Sequence, residues 1–402
     1  MVCRPTGIRT PDNGTKNRCV TTTLWVCFIL VMQIYSFFVY LQIVFYFFLN
    51  LHHIFSGVTM VIDFNNLEIN NLHSQTEFEK KIYFFLEEWF SDSEKVKVQT
   101  SGSTGVPKIF DIEKKKMLNS AKMTCDFLGL NKDNVALICL PIEYISGKMM
   151  VVRSFERKLK LIVRNPSLEP LKDLNERIDF CAMTPLQVEN SLDKIYLIKN
   201  LIIGGAAVSE SLKSKISQTL KISDSQTKIY ETYGMSETLS HIALKEIYPT
   251  QNDYFTVFEN VSISKDERGC LKISAPDLNS EILQTNDLVE IINGNQFKFL
   301  GRMDNVINSG GAKIFPEELE ALVKKEIPNE VVFLGIKDEI LGQKLIAVIE
   351  GEKSDDSIKK MREIQFEKSF HKPKEIIFVD EIPRTPNGKV SRLELLKMIE
   401  NN

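Results

Sequence analysis

Residues 200–219 read NLIIGGAAVSESLKSKISQT: an apolar run, four small residues, then an amphipathic stretch. The run at 200–204 is too short for a helix, and Ser209 and Glu210 stand where one would begin. The segment therefore reads as strand, turn, helix. The same alternation recurs: VALICL (135–140), LKLIV (159–163) and DFCAM (179–183) are apolar runs, and helix-like stretches lie near 114–128, 146–157 and 185–193. Alternation of this kind implies a large N-terminal α/β domain on a mostly parallel sheet. Ligands of such sheets sit beyond the carboxyl ends of the strands, which is where Gly204, Gly205, Ala206 and Ala207 fall. A plain strand-to-helix turn would use the same residues, and small side chains also let a ligand approach the backbone.

Outward from this core the pattern changes. TEFEKKIYFFLEEWF (76–90) places Phe78, Ile82, Phe85, Leu86 and Trp89 on one helical stripe, and Lys95–Gln99 alternates like a strand. From 254 to 300, short alternating segments with Gly and Asn turns read as a small antiparallel sheet or barrel. The last hundred residues read as a small, separate α+β C-terminal domain, with a helix after Pro316 and strands near 330–336, 344–350 and 375–379. The division is placed between 60–301 and 302–402.

Among the 402 residues 43% are hydrophobic and 26% charged, a globular composition rather than a disordered one. A net charge of −3 supplies no general attraction for nucleic acid. The seven cysteines include no CxxC pair, which disfavours a disulfide framework or structural zinc and fits a reducing, cytoplasmic setting. Leu24–Leu49 is twenty-six residues without a charge, and as a helix it would be roughly 39 Å long, enough to span a bilayer. The basic residues lie before that run, so the positive-inside preference would export everything after it. Residues 1–59 are accordingly expected to be an upstream stretch outside the working chain, which would begin at Met60. A genuine membrane segment at 24–49 is the alternative, and only then would a membrane be a partner.

The sharpest local signal is Thr100-Ser101-Gly102-Ser103-Thr104-Gly105-Val106-Pro107-Lys108. Its hydroxyls, backbone N–H groups and lysine suit anionic oxygens, although without the Gly-Lys-Ser/Thr ending of a Walker A loop. This segment resembles the phosphate-binding loop of the AMP-forming adenylating superfamily of acyl-CoA synthetases, luciferases and adenylation domains. Further boxes follow in the family's order. Tyr233-Gly234-Met235-Ser236-Glu237-Thr238 resembles its YGxTE box, and Thr285-Asn286-Asp287 its TGD box. The stretch from Gly301-Arg302-Met303-Asp304 through Gly310-Gly311 to Pro316-Glu317-Glu318-Leu319-Glu320 resembles its hinge region. Pro383-Arg384-Thr385-Pro386-Asn387-Gly388-Lys389 resembles its catalytic-lysine box.

The resemblance implies an ATP-dependent ligase that joins a carboxylic acid to AMP and then to a thiol, with ATP, Mg²⁺ and CoA as cofactors and co-substrate. Lys389 would bridge carboxylate and phosphate, and Glu237 would contribute to catalysis as an oxygen ligand to nucleotide-borne Mg²⁺. Thr100–Gly105, Lys108, Gly205, Ala206, Tyr233, Gly234, Ser236, Asp287 and Arg302 would contact the nucleotide. Gly204 would border the acyl pocket. Asp304 matches the hinge, and Gly310-Gly311 the face turned towards the incoming thiol.

The narrower resemblance is to o-succinylbenzoate–CoA ligases of menaquinone synthesis. It rests on LIIGGAAVSE (201–210) and PIEYISGKMMVVRS (141–154), where Tyr144 stands in place of the family's usual His. From Met60 only forty residues precede the phosphate loop, fewer than in full-length relatives. A second substrate carboxylate would need a cation, for which Lys148 and Arg153 are the candidates, with Tyr144 as a further substrate contact. Another aryl- or short-chain acyl-CoA ligase, or an enzyme loading a carrier protein, would carry the same boxes. A membrane-anchored nucleotide-binding protein is the non-enzymatic alternative.

Overall fold

The computed structural model describes residues 60–99, 109–223, 226–384 and 390–400, which belong to one compact unit, Val58–Asn402. The run at 24–49 with the rest of 1–59, the loop 100–108 and Lys389 lie outside the described residues. Among the described residues no helix is long and apolar enough to cross a membrane.

The chain opens with β1 (Met60–Asp63), helix α1 (Glu77–Phe90), the hairpin β2 (Lys95–Gln99) and β3 (Ile109–Glu113), and α2 (Lys114–Leu128). Strands and helices then alternate: β4 (Val135–Ile138), α3 (Ile145–Arg157), β5 (Lys160–Val163), β6 (Ile178–Met183), α4 (Pro185–Glu189), β7 (Ile198–Ile203), α5 (Glu210–Ser223) and β8 (Lys228–Gly234). A meander follows through β9 (His241–Tyr248), β10 (Phe255–Val257), β11 (Ser262–Lys265), β12 (Cys270–Ala275), β13 (Asn279–Asn293) and β14 (Gln296–Arg302). Twelve of these strands form one sheet in the order β1-β5-β4-β6-β7-β8-β9-β10-β14-β13-β12-β11. Its centre, β5-β4-β6-β7-β8, is parallel, and pairing turns antiparallel from β8 to β9 onwards. The parallel centre and the antiparallel meander are thus one continuous surface.

The central strands are buried on both faces. Ala136, Ile138, Phe180, Ala182 and Ile202 join one apolar cluster, while Leu137, Cys139, Cys181, Met183, Leu201 and Ile203 join the other. That is why they read as unbroken apolar runs rather than as alternation. Helix α1 starts on a capping box: Thr76 Oγ1 accepts from the Glu79 N–H, and the Glu79 carboxylate accepts from the Thr76 N–H. Its buried face is the expected stripe of Phe78, Ile82, Phe85, Leu86 and Trp89.

After β14 come β15 (Ile307–Ser309), β16 (Ala312–Ile314), α6 (Pro316–Val323), β17 (Val331–Asp338), β18 (Gly342–Glu350), α7 (Asp355–Glu363), β19 (Glu375–Val379) and α8 (Arg392–Glu400). Their sheet runs β16-β15-β18-β17, with β19 parallel to β18, and it carries its own apolar clusters. Arg392 ties this part together: Nη1 donates to the Phe333 carbonyl at 3.0 Å and Nη2 to Glu320 Oε2 at 2.6 Å.

Candidate active site

A cavity of about 490 Å³ lies at the carboxyl ends of β6, β7 and β8, closed on one side by the start of α3. Leu140, Pro141, Thr184, Gly204, Gly205, Gly234 and Met235, which follow the central strands or end them, supply much of its wall. Two glycines make this wall possible. A Cβ on Gly204 would lie 2.6 Å from Thr232 Oγ1, and Gly205 has φ +87°, a left-handed conformation. Tyr144 and Ser236 also line the cavity, while Ala206 is exposed just beyond Gly205.

The charged side chain in this chamber, otherwise lined by apolar and uncharged polar groups, is Arg153, only 2% exposed. Nη2 donates to Ser240 Oγ at 3.0 Å, Nε has no hydrogen-bond partner, and the guanidinium pairs with no carboxylate among the described residues. Burial pulls its pKa down to about 10. A buried guanidinium without an anion is costly, of order several kcal/mol, unless something completes it. Beside it lies His241, whose Nε2 is 3.1 Å from Thr124 Oγ1 and whose Nδ1 is 3.4 Å from Ser240 Oγ. Burial, and then the Arg153 charge, hold this imidazole well below 6.5, so it is neutral.

Lys148, the other candidate cation, takes no part in the cavity wall. It precedes Arg153 by five residues, about 140° around a helix, and its Nζ sits 4.2 Å from the centroid of the Phe85 ring on α1. One helix therefore turns its two cations to different neighbours. Ser240 and His241 were missed as site residues in the sequence, where His241 reads as a core histidine. Their one signal is position, three and four residues after Glu237.

A second group of candidate residues forms a connected cluster. Tyr233 Oη donates to Asp287 Oδ2 at 2.6 Å, Arg302 Nη1 donates to Asp287 Oδ1 at 3.1 Å, and Arg302 Nη2 donates to Asp304 Oδ2 at 2.7 Å. Burial and the Asp287 carboxylate both raise the Tyr233 phenol, which stays protonated and a donor. The Tyr233 ring is packed edge-on to Phe297, 4.9 Å away, and tilted against Phe255. Strand pairing sets Asp287 directly opposite Arg302 across β13 and β14. Glu237 is exposed on the turn after β8, and its carbonyl accepts from Asn279 Nδ2 at 3.2 Å. Gly310 and Gly311 make the β15–β16 turn with φ +57° and +82°, and neither is among the residues that line the cavity.

Comparison with known proteins shows the family. The sequence profile "AMP-binding enzyme" matches residues 98–261. A solved acyl-CoA synthetase (AMP-forming)/AMP-acid ligase II-like protein from Dyadobacter fermentans is 33% identical, with a TM-score of 0.57 over 85% of this chain and 100% of that one. This chain belongs to the AMP-binding enzyme family. A 2-succinylbenzoate–CoA ligase of Geobacillus is 26% identical over 350 residues, 75% of this chain and 68% of that protein. A 3,4-dihydroxybenzoate–[aryl-carrier protein] ligase of Bacillus anthracis is also 26% identical, over 75% of this chain and 73% of that one. Tyr233 of the cluster and Gly234 of the cavity wall are consecutive residues of β8.

Proposed function

We propose that this protein is an AMP-forming acid–CoA ligase whose acid carries a second carboxylate, with o-succinylbenzoate as the substrate. The observation that carries the reading is Arg153: a buried guanidinium in the wall of a largely apolar cavity, lacking a carboxylate partner among the described residues. An aromatic dicarboxylate matches that chamber, its ring against the apolar wall and its distal carboxylate completing Arg153. The likeness to 2-succinylbenzoate–CoA ligases supports the same acid.

In this reading a carboxylate oxygen attacks the α-phosphorus of MgATP, the bond to pyrophosphate breaks, and an acyl-adenylate forms. The thiol of CoA then attacks the acyl carbon and AMP leaves. Asp287 receives the ribose hydroxyls with Arg302 beside it, Glu237 offers an oxygen to the nucleotide's magnesium, and the 100–108 loop with Lys108 holds phosphate. Lys389 supplies the cation that neutralises charge as the anhydride forms. The two parts, 60–301 and 302–402, rotate about Asp304 between the half-reactions, so that Gly310 and Gly311 approach the thiol in the second. ATP supply places the reaction in the cytoplasm.

Pyrophosphate release from the full chain, measured across o-succinylbenzoate, benzoates and short fatty acids, tests the assignment. Arg153→Ala is expected to raise the KM for the dicarboxylate at least tenfold while the KM for ATP moves less than threefold, as loss of one charged hydrogen-bonded pair implies. Equal effects on both substrates would remove Arg153 from the acid subsite. Indifference of the wild type to the second carboxylate would remove the substrate.

A further inference from the structure

We infer that Asn286 is a positioning residue: it restrains Asp304 in the orientation seen here and so sets the balance between the two half-reactions. The inference rests on the two-step reaction and the Asp304 hinge proposed above.

Asn286 occupies the middle of Thr285-Asn286-Asp287, where the box it resembles has glycine. Both ends of its side chain are engaged. Nδ2 donates to Asp304 Oδ1 at 3.0 Å, and Oδ1 accepts from Arg268 Nη1 at 2.9 Å. Arg268 is itself held, with Nε donating to Asp266 Oδ2 at 2.9 Å and Nη2 to the Thr285 carbonyl at 3.0 Å. The amide therefore meets a fixed donor on one side and a carboxylate on the other, which defines its orientation. Asp304 Oδ2 is taken up by Arg302, the same arginine that reaches Asp287. One path of hydrogen bonds thus runs from the turn at Asp266, through Asn286 and Asp304, to the carboxylate proposed to receive ribose.

The next residue faces the other way. Asn305 Nδ2 donates to Glu317 Oε1 on α6 at 2.6 Å. The chain passes from partners on the large sheet to partners in the C-terminal part between 304 and 305. A hinge residue absorbs rotation in its own φ and ψ, so a tethered Asp304 carboxylate opposes departure from the observed orientation. Glycine at 286 could make neither bond, so the chemistry common to the family does not need them. They are a bias on the equilibrium between orientations. Arg302 and Asp304 are each about half exposed, at 49% and 52%, which keeps the bias small enough for the hinge to turn.

The test uses the full chain with o-succinylbenzoate, MgATP and CoA, comparing wild type with Asn286→Gly. Pyrophosphate formation without CoA reports the first half-reaction, and single-turnover thioester formation from the preformed adenylate reports the second. The ratio of the two rates is expected to change about three- to tenfold in Asn286→Gly, the effect of one exposed hydrogen bond to a charged group. Arg268→Met, which unfixes the amide, is expected to shift the ratio in the same direction by less. An unchanged ratio, whether both rates hold or both fall together, overturns the inference. Should the wild type form no adenylate with any acid, the reaction itself is wrong. Hydrogen exchange at the amides of 303–306 then decides the restraint: exchange faster by a similar factor in Asn286→Gly supports it, and equal exchange overturns it.

Discussion

Arg153 and Lys148 show how little a residue type says about a site. Both are basic, both are on α3 and both are largely buried, at 2% and 8% exposed. Lys148 has an aromatic face for its charge, and among the described residues the Arg153 guanidinium has only Ser240 as a hydrogen-bond partner. Replacing an uncompensated buried charge by an apolar side chain of similar length is often neutral or stabilising. Arg153→Met is therefore expected to leave unfolding free energy in urea unchanged or raise it by about 1–2 kcal/mol, while acid binding suffers. A loss of more than about 2 kcal/mol, the scale of a typical destabilising core change, would mark Arg153 as structural. His241 gives a pH signature. Its folded pKa lies well below 6.5, so below that pH the unfolded chain binds the extra proton and stability falls with acidification. His241→Asn is expected to flatten the dependence of unfolding free energy on pH between 6.5 and 5, by up to about 1.4 kcal/mol per pH unit. A variant with the wild-type slope would show that His241 titrates normally.

At the scale of elements, strand and helix type followed from periodicity, whereas neighbours did not. Phe78, Ile82, Phe85, Leu86 and Trp89 repeat at helical spacing, and that stripe alone fixes the inward face of α1. The runs at 135–140, 179–183 and 200–204 were legible as strands because burial on both faces demands apolar residues throughout. Nothing in 254–300 announces that the meander continues the parallel sheet, since hydrogen bonding between β8 and β9 depends on pairing rather than composition. Arg392, at the first turn of α8, is a contact of the same hidden kind. It joins α8 to Glu320 on α6 and to Phe333 on β17, and burial raises the Glu320 carboxyl although Arg392 opposes that. Arg392→Met leaves that carboxylate without its cation and is expected to cost about 3 kcal/mol in chemical denaturation. A change below about 1 kcal/mol, the worth of a surface pair, would mean the bridge is solvated.

For the whole molecule, the two larger sheets, each with its own apolar clusters, are joined through residues 303–306, the hinge proposed above. If 60–301 holds the nucleotide, MgATP at a hundred times its dissociation constant adds about 2.7 kcal/mol to that part. Calorimetry is expected to show the transition of the larger part moving upward with MgATP, and Asp287→Ala is expected to abolish the movement. A wild-type transition indifferent to MgATP would contradict nucleotide binding there. The candidate boxes at 233–238, 285–287 and 301–304 could be picked out one by one because each is short and local. Their assembly into one cluster could not, because it depends on β13 pairing with β14 and on β8 lying between β7 and β9.

By itself the sequence determined the class of chain this is: an α/β, AMP-forming, acid-activating ligase, with its boxes in order and its helical and extended segments in place. The segments are written in local spacing, which the backbone reads without knowing its distant neighbours, and the class rests on the resemblance of the short boxes to those of a known family. Only the tertiary structure decided that Arg153 rather than Lys148 faces the cavity, that Ser240 and His241 stand beside it, and that Asn286 reaches Asp304. Each of those depends on which elements pack together, and a side chain's charge acquires its meaning from what burial leaves within reach.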